Sequence, residues 1–230
     1  MNAIEQWINE TFSNVGVLSS IQVTFQMAVC STAISALLGI PLGLLLEKHR
    51  FPGKRIVVRV NRTLMGVPPV VIGLLVYMLL MRRGPLGVFR WLFTIKGMVL
   101  AQTLIITPII CGMVYSYAVR TAPAIRNFAV TMGASPMQTN RLMLREMKNE
   151  IYFAILSGFG RSISEVGAVM LVGGNIKGNT RTMTTAISLL KSQGIFTEGV
   201  ALGLILLLMA FLLQCLADFF RKEEISVEND

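Results

Sequence analysis

At 230 residues, 53% of them hydrophobic and only 14% charged, the chain has too few ionic groups for a soluble domain, which would carry roughly 25%. Its mean hydropathy of +0.65 points to surface that faces lipid. The formal net charge of +9 would suit a nucleic-acid binder, but the cations are grouped between apolar runs rather than spread over a soluble face, which excludes that partner class.

About 20 mostly apolar residues are needed to cross the hydrocarbon core, and the chain holds five such runs. The first covers 17–46, long enough to leave its first turns in the interface. The others cover 63–81, 97–119, 151–172 and 200–220. No internal repeat or second domain is evident, so residues 1–230 read as one transmembrane domain with a polar segment at 120–150. Residues 1–16 hold no Lys or Arg, so no cleaved signal peptide is expected.

Lys and Arg bias sets orientation. The regions after the first and third runs, with the tail, hold thirteen (Lys48, Arg50 and Lys54 open the series; Arg221 and Lys222 close it), against seven on the other side. The richer side should be cytoplasmic, which puts the amino terminus outside and the carboxyl terminus inside. Cys30, Cys111 and Cys215 lie in three separate runs without metal-type spacing and are expected to be buried as small hydrophobes.

The first run is rich in Ser and Thr, among them Ser20, Thr24, Ser31 and Ser35, which can hydrogen-bond across helices. Gly39 and Gly43 flank Pro41 at a spacing suited to close packing and a kink. Pro68, Pro69 and Pro108 also interrupt backbone pairing, which is tolerated at membrane depth where it is buried in protein or lines a cavity.

Within 120–150 stands Met132-Gly133-Ala134-Ser135-Pro136-Met137. Gly133 suits a left-handed helix end, Ser135 an N-cap, and Pro136 the first helical position. A helix, a sharp turn and a second short helix are expected. Local chemistry leaves open whether that second helix rests on headgroups or docks a partner.

In the fourth run, Arg161 and Glu165 stand four apart, with Gly158 and Ser162 on the same face. Ionisable groups in a span are costly and face the protein interior. The pair is either an internal salt bridge that fixes packing, or a stripe that borders a permeation path or moving joint. Direct contact between Glu165 and an anion is disfavoured by like-charge repulsion. Catalytic chemistry is not found: His49 is the single histidine, which rules out a two-histidine zinc site, and no Walker A loop is present.

The stretch Asn127-Phe128-Ala129-Val130-Thr131-Met132-Gly133 resembles the EAA loop of ABC importer permeases. It keeps that loop's spacing, with Ala129 and Gly133 as the common residues; Asn127 and Phe128 replace Glu and Ala, and Arg145-Glu146 stands where a Leu-Pro pair is usual. Val67-Pro68-Pro69-Val70-Val71-Ile72-Gly73-Leu74 is similar to the second span of molybdate- and tungstate-type permeases. Gly160-Arg161-Ser162-Ile163-Ser164-Glu165-Val166-Gly167-Ala168, Gly174-Asn175-Ile176 and Thr180-Arg181-Thr182 extend the similarity, which looks closest to the tungstate branch.

The resemblance implies an all-α membrane protein of the type I ABC importer permease fold, with about five spans and a cytoplasmic coupling helix. It implies a prokaryotic plasma-membrane homodimer that works with two cytoplasmic ATPase subunits and an external oxyanion-binding protein. No cofactor is expected on this chain; ATP and Mg would sit on the partner. Asn127, Ala129, Gly133, Ala134, Ser135, Pro136 and Met137 would form the ATPase coupling loop. Pro68, Pro69, Arg161, Ser162, Glu165 and Gly167 are the path or gating candidates. The rival reading is a secondary transporter or channel that needs no ATPase, which should bury coupling carboxylates of its own; only Glu165 qualifies.

Overall fold

The computed structural model describes residues 15–225 as α-helices joined by short turns, with no strand among them. In chain order these are α1 (Val15–Lys48), α2 (Lys54–Met65), α3 (Pro69–Leu80), a 3₁₀ turn (Gly87–Phe89), α4 (Ile95–Thr131), α5 (Pro136–Glu146), α6 (Lys148–Ser164), α7 (Gly167–Gly173), α8 (Met183–Ser192) and α9 (Phe196–Ile225). Three helices, α1, α4 and α9, are individually long and apolar enough to cross a membrane. The pairs α2 with α3 and α6 with α7 pass the same test only as bent pairs, turned by 101° and 61°. The total reaches five spans when each bent pair is taken as one.

The centre of the fold is the packing of α1 on α4. The small-residue spacing around Pro41 makes it possible. A Cβ on Gly39 would meet the Thr107 carbonyl at 3.0 Å, and one on Gly43 the Cys111 carbonyl at 2.8 Å. Ile106, Ile110, Val114, Ala118 and Ala122 of α4 are buried in one cluster with Ala154 of α6. Lipid is as apolar as isoleucine, so the gain here is close van der Waals contact rather than release from water. The α1 hydroxyls add bonds between helices. Ser31 meets Ser162 of α6 at 3.0 Å, Ser35 donates to the Thr103 carbonyl of α4 at 3.3 Å, and Thr24 accepts from Met183 N of α8 at 2.9 Å.

Several elements differ from the sequence expectation. The second run does not form one helix over 63–81. Gly66, Val67 and Pro68 break it: Pro68 is extended at ψ 123°, a conformation that the following proline favours, and Pro69 stands in the first turn of α3, where its missing N–H leaves no bond unmade. The fourth run is broken at Glu165 (φ −75°, ψ 135°). The third continues to Thr131, about 55 Å of helix at 1.5 Å per residue. The helix expected in the first half of 120–150 is present, as a direct continuation of the third span, and the sharp turn and second short helix follow it.

Pro108 and Pro123 sit inside α4 without ending it. The region after α7 folds into α8, capped by Thr182, whose hydroxyl accepts from Thr185 N. Cys111 is buried, but Cys30 and Cys215 lie on exposed faces, because α1 and α9 each turn one side outward. The sequence expectations about the amino-terminal head and the last residues of the tail fall outside the described residues.

Candidate functional site

The α4–α5 turn is built by two complementary caps. At the end of α4, Gly133 has φ 69°, a value that β-carbon sterics disfavour in other residues. Ala134 N donates to the Ala129 carbonyl at 2.9 Å, and Gly133 N donates to the Val130 carbonyl at 3.0 Å. These are the two bonds of a Schellman ending. At the start of α5, Ser135 Oγ accepts from Gln138 N, and Gln138 Oε1 accepts from Ser135 N at 2.7 Å, a full capping box with Pro136 in the first turn. Gln138 is the residue that sequence reasoning overlooked; a Ser followed three positions later by Gln was the available signal.

The turn is anchored on one side and bare on the other. Met143 and Met147 are buried against α4 and α6 in the main cluster. Ala129 is buried and Asn127 exposed. Around the turn, Phe128, Val130, Met132 and Met137 stand 60, 75, 70 and 83% exposed. These four form an exposed apolar group at the helix tip, next to the anchored side of the turn.

One ion pair behind the turn was not anticipated. Arg126 grips Glu47 with both guanidinium nitrogens, at 2.9 and 2.5 Å, and the Glu47 side chain is only 8% exposed. It ties the end of α1 to the last turns of α4 through a bidentate, charge-assisted geometry. Glu47 is a lone carboxylate at the head of a basic segment, and that contrast was the sequence clue.

The path and gating candidates divide into two groups. Pro68 and Pro69 form the α2–α3 break. Arg161, Ser162, Glu165 and Gly167 gather at the α6–α7 break. Arg161 Nη2 lies 3.4 Å from Glu165 Oε2, so the pair exists, but Arg161 is 41% exposed while Glu165 is 5% exposed. The expected stripe on one continuous helix is therefore corrected: Glu165 lies in the break. Its Oε1 accepts from Ala168 N at 3.3 Å, and its own carbonyl accepts from Thr184 Oγ1 at 2.8 Å. Ser162 faces α1, and Gly158 lets Ile106 and Ile110 of α4 approach.

The two groups meet along a seam between α3 and α7. A Cβ on Gly73 would meet Ala168 Cα at 2.6 Å, and one on Gly167 would meet Val70 Cγ2 at 2.5 Å. Among the described residues, no cluster of three His, Cys, Asp or Glu is placed to hold a metal.

The bent spans and the capped helix–turn–helix lie within the part of the chain that matches a known family. Residues 39–223 match the family described as binding-protein-dependent transport system inner membrane components. The chain belongs to that family.

The tungstate uptake system permease protein TupB of Peptoclostridium acidaminophilum is 42% identical over 84% of this chain and 85% of its own length. A probable anion ABC transporter permease of Haloferax volcanii is 39% identical over 89% and 90%. A chain of the MetNI methionine ABC transporter, solved in inward-facing conformations, superposes with a TM-score of 0.72 at 17% identity, covering 96% of this chain and 99% of that one. The fold is that of type I ABC importer permeases, as the sequence resemblance implied. The chain is a multi-pass inner membrane permease subunit and not itself an enzyme. Membership implies an ATP-hydrolysing subunit and a substrate-binding protein as partners.

Proposed function

We propose that this permease carries tungstate, or the closely similar molybdate, across the plasma membrane as a homodimer. Two ATPase subunits would dock on its α4–α5 turns, and an external binding protein would deliver the anion. The observation that carries the reading is the bare turn. Four apolar side chains, Phe128, Val130, Met132 and Met137, stand exposed on a tip that both caps hold rigid. A rigid, anchored tip can pass ATPase closure to the spans, because α5 joins α6 through the single residue Met147 and α4 runs the full depth of the fold. Two polypeptide relatives that transport anions or tungstate by name support the substrate class.

In this reading the amino terminus is outside and the carboxyl terminus cytoplasmic, and ATP with Mg stays on the partner subunit. Asn127, Ala129, Gly133, Ala134, Ser135, Pro136 and Met137 are the coupling residues, and the two bends are the moving parts around the path.

The test is Gly133→Val. Nothing lies within 4 Å of a Cβ at this position, so the added bulk meets only the backbone penalty of its positive φ, about 1–2 kcal/mol or more for a β-branched residue. The spans keep their apolar length and should insert normally. Purified with its ATPase, the variant is expected to lose ATP-driven tungstate uptake in proteoliposomes, with hydrolysis uncoupled or the ATPase unbound. Normal uptake would remove the coupling role from the turn, and uptake by the wild type without any ATPase would overturn the importer reading.

A further inference from the structure

Helix α2 has three faces. Asn61 and Met65 lean on α4: Asn61 Nδ2 donates to the Pro108 carbonyl at 3.1 Å, and Met65 sulphur lies against Gly112. Ile56, Val60 and Leu64 form a second, exposed apolar face. Arg55, Arg59 and Arg62, at successive helical turns, form the third. With Arg50, Lys54 and Tyr115 they line an open cavity of about 860 Å³ whose lining contains no carboxylate. Among the described residues, none of these four arginines has a carboxylate partner. Lys54 is already engaged, donating to the Glu47 carbonyl at 3.1 Å and lying over the Tyr115 ring.

The depth of this face decides what it serves. The stretch 97–119 of α4 carries no charge, and Pro108 stands at its centre. Helix α2 crosses α4 between Pro108 and Tyr115, within the half of that stretch nearer the α4–α5 turn. Arginines at such a depth are costly against lipid tails and are tolerated where they line water or protein. An open cavity with four guanidinium groups that lack a carboxylate partner attracts anions, and several weak sites in a row let an ion enter and leave.

We propose that the Arg55, Arg59 and Arg62 face of α2 is a low-affinity binding vestibule for tetrahedral oxyanions on the translocation path. The proposal deepens the oxyanion-importer reading and rests on it for the identity of the anion. A phosphate-type lipid headgroup shares the chemistry, and the test separates the two sources.

Two measurements are needed, one of them independent of the ATPase. First, phenylglyoxal modification of the full-length permease in detergent is mapped by peptide mass spectrometry, with millimolar tungstate or with short-chain phosphatidylglycerol as protectant. Tungstate is expected to slow modification of the three arginines several-fold relative to Arg145, which is exposed elsewhere. Protection by phosphatidylglycerol and not by tungstate would overturn the proposal in favour of a lipid site, and protection by neither would overturn it outright.

Second, tungstate uptake by the complete complex is followed against ionic strength. The triple change Arg55→Gln, Arg59→Gln, Arg62→Gln is expected to lower low-salt uptake about tenfold and flatten its salt dependence, while assembly with the ATPase persists. The single changes, each expected to give a part of that loss, serve if the triple variant does not assemble. The triple Lys variant should largely retain uptake. Unchanged uptake in the Gln variants would overturn the vestibule. A wild-type complex with no ATP-dependent uptake would instead count against the importer, and the protection experiment would still decide whether the face binds oxyanions.

Discussion

The two bent spans reach similar shapes by different routes. At the α2–α3 bend of 101° the chain carries Gly66, Val67, Pro68 and Pro69 and no charge, so the break is written into covalent geometry. At the α6–α7 bend of 61° there is no proline. There the break is made by contacts: Glu165 turns from the helix to accept from Ala168 N, to meet Arg161 and to present its carbonyl to Thr184. One bend should survive changes in its surroundings; the other depends on them. The short arms of both bends then pack together through Gly73, Gly167 and Ala168.

The sharpest way to break the comparison is to remove a partner of Glu165. Because Arg161 is half exposed and Glu165 is buried, the pair is asymmetric. Arg161→Gln strands a buried carboxylate and should cost on the order of 3 kcal/mol. Glu165→Gln leaves a guanidinium that reaches water and keeps an acceptor for Ala168, so its cost should be about 1 kcal/mol. Thermal unfolding of the detergent-purified permease, read by size exclusion after heating, ranks the two. The opposite ranking would mean that Arg161 is not the group that neutralises Glu165.

Next in size is the seam. Gly73→Ala places a methyl on the Ala168 backbone, and the required shift of α3 from α7 should cost about 1–3 kcal/mol. Both bends should loosen together, visible as faster hydrogen exchange in α3 and α7. Exchange confined to α3 would show that the arms are not coupled.

A smaller effect is expected from Thr184→Val, which removes the hydroxyl that donates to the Glu165 carbonyl at 2.8 Å. The loss should be near 1 kcal/mol, and in a double-mutant cycle with Glu165→Gln it should be non-additive. Simple additivity would separate the α8 contact from the bend.

The smallest effect is expected from Pro68→Ala. Pro69 still starts α3 and still restricts its predecessor, so stability should change by less than about 1 kcal/mol. A spin-label distance between exposed positions 55 and 79 should also be unchanged. A straightened pair would mean that Pro68 alone holds the bend.

Much of the α4–α5 turn was legible because its chemistry is local. Gly133, Ser135 and Pro136 act within a few residues of one another, and their caps follow from backbone sterics and nearby hydrogen bonds. The Glu47–Arg126 clamp was not legible, since its partners are far apart in sequence and nothing in either neighbourhood names the other. The same holds for the cationic face of α2. The arginines were visible as a basic group that sets orientation, but not their depth, which depends on where Asn61 meets Pro108.

The sequence by itself determined the apolar runs, the capped turn and the family, because each rests on composition or on spacing within a few helical turns. Only the tertiary structure decided that the second run breaks into α2 and α3, that Glu165 ends a helix, that α3 and α7 share a seam, and that α2 packs on α4 between Pro108 and Tyr115. Those outcomes depend on which distant backbones come within ångströms of each other, as where Gly73 makes room for Ala168. No local propensity encodes that proximity.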